Sequence, residues 1–174
     1  MAFTVEDGTG VAGANAYIDL DYANAYHAER GNSGWTGVDE VRQQAIVRAT
    51  DYVETRWGTQ FRGAPEFWET PQGLSFPRLY IYDHLGTAIE GVPDLLKRAI
   101  AEYALRALNA ALMPDPSRPE SGVSGPVTSV RERVGPIESE TRYAFGVVTP
   151  EMVSYPAADR LVRQLIARNG GVYR

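Results

Sequence analysis

From Thr36 to Trp57 the apolar residues return every three or four positions. Val38, Val41, Ala45, Ala49, Tyr52, Val53 and Trp57 fall near one stripe, with Arg42, Gln43, Gln44, Arg48 and Glu54 mostly outside it. That period predicts an amphipathic helix. Thr36, followed three residues later by Asp39, resembles a capping box with Asp in the Glu position, and Gly58 stops the run. A second stripe predicts a helix with a broader apolar face: Leu95, Leu96, Ala99, Ile100, Tyr103, Ala104, Ala107, Leu108 and Leu112. Pro93 suits its first position and Pro114 ends it, so this is the expected central helix. Two shorter helices complete the set. One runs from about Leu20 to Glu29 behind an Asp19 N-cap, with Gly31 as its stop. The other runs from Ala157 to Ala167, with Leu161, Val162, Leu165 and Ile166 inward and Gly170-Gly171 closing it.

Between the helices the pattern changes. Residues 62–91 contain Pro65, Pro71 and Pro77, which oppose any long helix. Their large apolar side chains (Phe67, Trp68, Leu74, Phe76, Leu79, Tyr80 and Ile81) predict a loop folded down over the helices. Pro114–Tyr143 then supplies a Pro/Gly/Ser loop and two short charged strands, Val127–Val134 and Ile137–Tyr143, around Gly135-Pro136. A two-stranded hairpin with few apolar side chains cannot bury a core of its own. It must lie on the helices or meet another subunit. Val130, Arg131, Arg133, Val134, Ile137, Glu138, Glu140 and Tyr143 are the candidate interface positions, although mixed charge suits a solvated edge equally well. The expected fold is mainly α: a small helical bundle with one projecting antiparallel β-hairpin and long ordered loops. Residues 1–174 form one domain, with 20–112 and 157–167 as helical core and 127–143 as the hairpin.

Composition narrows the function classes. A chain of 174 residues can bury roughly 70% of its unfolded surface as one domain. Lys and Arg number 17 against 22 Asp and Glu, a net charge of −5, which opposes a basic nucleic-acid footprint over the whole surface but not a local one. Without cysteine, thiol nucleophiles, Cys-type zinc sites and disulfides are excluded. No run approaches the roughly 18 apolar residues that span a bilayer, and Met1–Gly10 carries Glu6 and Asp7, so no membrane or secretory role is expected.

Little in the chain points to catalysis. Gly8-Thr9-Gly10-Val11-Ala12-Gly13 matches G-x-G-x-x-G, but only the short Phe3-Thr4-Val5 strand precedes it and no alternation of strands and helices follows. A tight N-terminal turn is expected rather than a dinucleotide site. Asp19 and Asp21 suit helix capping better than a metal, and Glu102 lies four residues from both Arg98 and Arg106, the spacing of a helix-surface ion pair. His27 is expected to be partly exposed at a helix end. No serine occupies a G-x-S-x-G elbow and no H-E-x-x-H helix exists. We expect no enzyme, no cofactor, no catalytic residue and no metal. Arginines interleave with aromatics instead: Arg48, Arg56 and Arg62 on or after the second helix, and Arg78 ahead of Tyr80 and Tyr82. Rings with nearby guanidinium groups hold single strands without sequence preference, so these four arginines are the candidate nucleic-acid contacts.

The order of several short motifs resembles a known family. Thr4–Tyr17 carries its N-terminal signature. Arg30-Gly31-Asn32 with Trp35, Arg48-Ala49-Thr50-Asp51-Tyr52 and Phe61-Arg62-Gly63 follow, then Phe76-Pro77-Arg78 and Ile100–Ala104. Val134-Gly135-Pro136-Ile137, Tyr155–Asp159 and Gly170-Gly171 complete the set. The family consists of tailed-bacteriophage and prophage proteins labelled DnaT-like single-stranded-DNA-binding proteins, and the resemblance covers nearly the whole chain. Its helical build is similar to that of head–tail connector (adaptor) proteins. That likeness implies a structural role at the virion neck after assembly in the host cytoplasm. It implies as partners the portal protein, copies of itself in a ring commonly of twelve, the next neck or tail-completion protein and, transiently, the passing genome, with no membrane. The family label itself implies the alternative, single-stranded DNA binding.

Overall fold

The computed structural model describes residues 2–67, 72–83, 85–114, 127–133, 138–143 and 153–166, the two hairpin strands by their backbone alone. The chain divides into two compact units, a helical one of residues 1–112 and 154–174 and one of residues 113–153 that carries the hairpin. Four α-helices lie among the described residues: α1 (Leu20–Glu29), α2 (Asp39–Trp57), α3 (Asp94–Ala107) and α4 (Pro156–Val162). The protein is a small, mainly helical bundle with a short antiparallel hairpin.

Helix α3 is the centre of the bundle and packs against both α2 and α4. Leu96, Ala99, Ile100, Ala101, Tyr103 and Ala104 are wholly buried, as the broad apolar stripe requires. Truncating a side chain such as Ile100 there costs about 2–5 kcal/mol. The helix ends at Ala107, earlier than Pro114 allowed, though Leu112 still reaches the core. Asp19 caps α1 as expected, its carboxylate accepting from the Tyr22 N–H at 2.7 Å.

Helix α2 corrects the reading of its start. Gly37 turns at φ +114° and Val38 takes the N-cap position with no side-chain cap, leaving Thr36 outside the helix. Val38 and Val41, expected inward, are exposed, whereas the apolar positions from Ala45 to Trp57 line the core. Helix α4 is shorter than expected. It gives way to a turn after Val162, and Ile166 pairs with Phe61 in an isolated antiparallel bridge.

The segment between α2 and α3 is held down at several points. Glu54 on α2 accepts from the Ser75 hydroxyl (2.6 Å) and N–H (3.2 Å) and from the Tyr17 hydroxyl, which in turn accepts from the Phe76 N–H at 3.2 Å. Phe76 and Ile81 are buried as the covering loop requires. Two residue pairs, β1 (Ala64–Pro65) and β2 (Arg78–Leu79), run antiparallel at its base. Gly63 makes that pairing possible: a Cβ on it would lie 2.0 Å from the Leu79 carbonyl oxygen.

In the second unit, β3 (Val127–Arg133) and β4 (Glu138–Tyr143) pair antiparallel with an irregularity between Val127 and Ser129. The register sets Arg131 opposite Glu140 and Arg133 opposite Glu138, so residues of opposite charge occupy facing positions within one hairpin. The same register places Val130 opposite Thr141 and Tyr143 opposite Val127. The candidate interface residues Val134 and Ile137 lie outside the described residues.

Candidate nucleic-acid interface

The four arginines singled out by sequence do not converge. Arg56 is committed to the core. Its guanidinium lies over the Trp57 ring, 4.6 Å from the centroid, donates to the Tyr52 hydroxyl and pairs with buried Asp159 at 3.2 Å. Arg48 is exposed on α2 and borders a separate groove with Phe3, Asn15 and Gln44.

Arg78 is a structural clamp. Its guanidinium donates to the carbonyls of Arg62 (2.8 Å), Gly63 (2.9 Å), Ser75 (3.2 Å) and Phe61 (3.4 Å). Desolvation pulls its pKa below the usual arginine value, yet a guanidinium stays charged at any working pH. By gathering carbonyls from the residues ahead of β1 and from Ser75 ahead of β2, Arg78 fixes the start of the segment that follows it.

That segment presents aromatic rings to solvent. Tyr80 is 73% exposed and Tyr82 48%, on either side of buried Ile81, with Leu79 and Leu85 also exposed. The expectation that this loop turns its apolar side chains inward therefore holds for Phe76 and Ile81 and fails here. Tyr80 is also the single non-glycine residue with positive φ among the described residues, at 62°. A left-handed conformation costs a bulky L-residue roughly 1–2 kcal/mol, so the fold holds this ring outward against a local penalty.

Beside the rings lies a cleft of about 630 Å³ lined by Arg62, Asp83, Ile89, Leu95, Arg163 and neighbouring residues at the end of α4. Tyr82 precedes Asp83 and bridges to Ala88, next to Ile89, so the chain runs from the aromatic segment directly into the wall. One Arg62 nitrogen donates to the Gln164 carbonyl at 2.6 Å, and the Arg62 N–H bonds to Leu165 O at 3.0 Å, drawing the end of α4 against Phe61-Arg62. Arg163 is exposed there. The sequence reading missed it. Its signal was the i,i+3 spacing of Arg160 and Arg163 on the face of α4 opposite its apolar residues.

The glycine-rich loop is not a phosphate cradle. The carboxylate of Glu6, only 1% exposed, accepts from the N–H groups of Gly8 (2.8 Å), Gly10 (3.0 Å) and Val11 (2.8 Å). The donors that would face a pyrophosphate already hold an internal anion. Other chemistry is sparse. Among the described residues no three His, Asp or Glu side chains gather as metal ligands, and no helix is long and apolar enough to cross a membrane. His27 is buried rather than partly exposed, its ring packed 4.6 Å from Trp35 and its Nδ1 3.0 Å from the Asn32 amide. His84 lies outside the described residues.

No curated protein and no solved structure matches the chain. The expected portal, ring and neck-protein partners and the virion-neck location thus have no neighbour against which to be compared. A family model described as "Putative DnaT-like ssDNA binding protein" matches residues 1–174. That description names DNA binding and no virion part. It overturns the expected head–tail connector function and the phage structural role attached to it. With its full length matched, the chain belongs to this DnaT-like family.

Proposed function

We propose that the helical unit binds single-stranded DNA, without catalysing a reaction on it, through the face formed by Tyr80, Tyr82, Arg62 and Arg163. The observation that carries this reading is Tyr80, held 73% exposed in a left-handed conformation on the segment that leads into a cleft with two arginines. The membership of the chain in a family described as binding single-stranded DNA supports it. Bases stack on aromatic faces whatever their identity, each contact contributing roughly 1–3 kcal/mol, while guanidinium groups track the backbone. Duplex DNA keeps its bases stacked on one another and offers these rings nothing comparable.

Charge sets the strength. A net charge of −5 opposes approach of a polyanion, and two arginines neutralise few phosphates. Binding should therefore be micromolar and only modestly salt-sensitive, with a log–log slope of roughly −1.4 for two single-strand phosphate contacts. Fluorescence anisotropy with a labelled oligothymidylate tests the proposal. Tyr80→Ala and Tyr82→Ala should each weaken binding, and a matched duplex should compete poorly. Undiminished binding by the double variant, or equal competition by duplex, would rule this face out.

A further inference from the structure

A second groove of about 500 Å³, within the roughly 300–1,000 Å³ span of small-ligand sites, lies between α1 and the start of α3. Like the first it holds two arginines, and unlike the first it has aromatic rings in its own wall. Tyr22 and Tyr26 stack with ring centroids 6.4 Å apart and an interplanar angle of 17°. The Arg30 guanidinium sits 3.6 Å above the Tyr26 ring centroid, and Arg98 completes the wall with a side chain 40% exposed. Two carboxylates are present but engaged: Asp94 accepts from the Tyr22 hydroxyl at 3.1 Å and lies 3.9 Å from Arg98, while Glu29 lies 3.5 Å from Arg30. Burial, then the neighbouring Asp94, pushes the Tyr22 hydroxyl up to about 12, so the ring carries no charge near neutral pH.

The first turn of α3 contributes a residue to each groove. Leu95 lines the first, while Asp94 and Arg98, one turn apart, line the second. Both belong to the helical unit. We infer that the Tyr22–Tyr26–Arg30–Arg98 groove is a second single-strand subsite, reached by a strand that leaves the Tyr80–Arg62 face and crosses the first turn of α3. This rests on the proposed DNA-binding function and extends it to a footprint. A nucleobase packs against Tyr22, and the following phosphate meets Arg30 and Arg98. Since the groove's two arginines are matched by two carboxylates, this subsite binds by stacking more than by charge.

Oligonucleotide length separates the two subsites. Anisotropy titrations would use labelled oligothymidylates of about 6 and about 20 nucleotides, one near the lower end of the usual single-strand site sizes and one beyond the upper end. The wild type should bind the longer one at least about tenfold more tightly, and Tyr22→Ala with Arg98→Gln should abolish that gain while leaving the shorter one unaffected. Tyr22→Phe keeps the ring and should behave as wild type, with circular dichroism confirming that every variant folds. If the double variant keeps the full length gain, or loses affinity equally on both lengths, the second subsite is overturned alone. If the wild type binds neither length, the DNA-binding reading falls, and the subsite with it.

Discussion

Arg56 and Asp159, separated by 103 positions, meet side by side: Nη1 donates to Oδ1 at 3.3 Å and Nη2 to Oδ2 at 3.2 Å. Asp159 is 2% exposed and also accepts from the Tyr103 hydroxyl at 2.5 Å, so one carboxylate ties α4 to both α2 and α3. Breaking such a pair strands a buried charge and costs about 3–5 kcal/mol. Asp159→Ala should lower the unfolding free energy by that amount in urea titrations. A loss below about 1 kcal/mol would mean that the pair is solvated and contributes as little as a surface ion pair.

Tyr80 sets stability against binding. Glycine adopts its conformation without steric cost, so Tyr80→Gly should stabilise the protein by up to about 1 kcal/mol. The same change removes a ring and should weaken oligonucleotide binding by about 1–3 kcal/mol. Paired melting curves and anisotropy titrations give both signs. A destabilised Tyr80→Gly protein would show that the ring supports the fold.

Gly63 is where that arrangement is most easily broken. Its φ of +74° and the 2.0 Å approach of Leu79 O leave no room for a Cβ. Gly63→Ala should cost about 2 kcal/mol or more and, by parting β1 from β2, weaken DNA binding as well. An unchanged melting temperature would contradict this.

His27 adds a pH dependence. Burial holds its pKa below the ordinary histidine value, Arg30 and Arg106 act in the same direction, and Glu102 opposes them. The unfolded chain therefore binds the proton more readily than the folded one. The stability from neutral His27 is complete above the unfolded value of about 6.5 and is lost as pH falls from there through the folded value. Melting temperatures should fall from pH 7.5 to 5.5, and His27→Gln should flatten that slope. An equal slope in the variant would assign it to other groups.

Helices were legible in the sequence wherever one face had to be buried. The stripe from Leu95 to Ala107 and the Asp19 cap translate directly into α3 and α1, because period and capping are local properties, while Leu108 and Leu112, expected in the same helix, fall beyond its end. The hairpin was legible from alternation around Gly135-Pro136. The start of α2 was not, since Thr36 loses its role to a turn at Gly37 that no local pattern announces. The proposed binding face was half legible. Composition placed arginines near tyrosines, but only tertiary contacts could divide them. Arg56 answers a carboxylate from α4, Arg78 answers four carbonyls, and Arg163, just past α4, lines the same cleft as Arg62.

The Glu6 loop has a consequence for protein engineering. Its anion and the three N–H groups that anion satisfies all lie between Glu6 and Val11. Such a turn borrows no charge from the rest of the molecule; what it takes from outside is packing, with Gly8 against Gly91 and Gly10 against Phe67. Its glycines transferred to a foreign surface loop without Glu6 would arrive as slack chain, and with Glu6 they would still lack the cover that keeps water from its three hydrogen bonds.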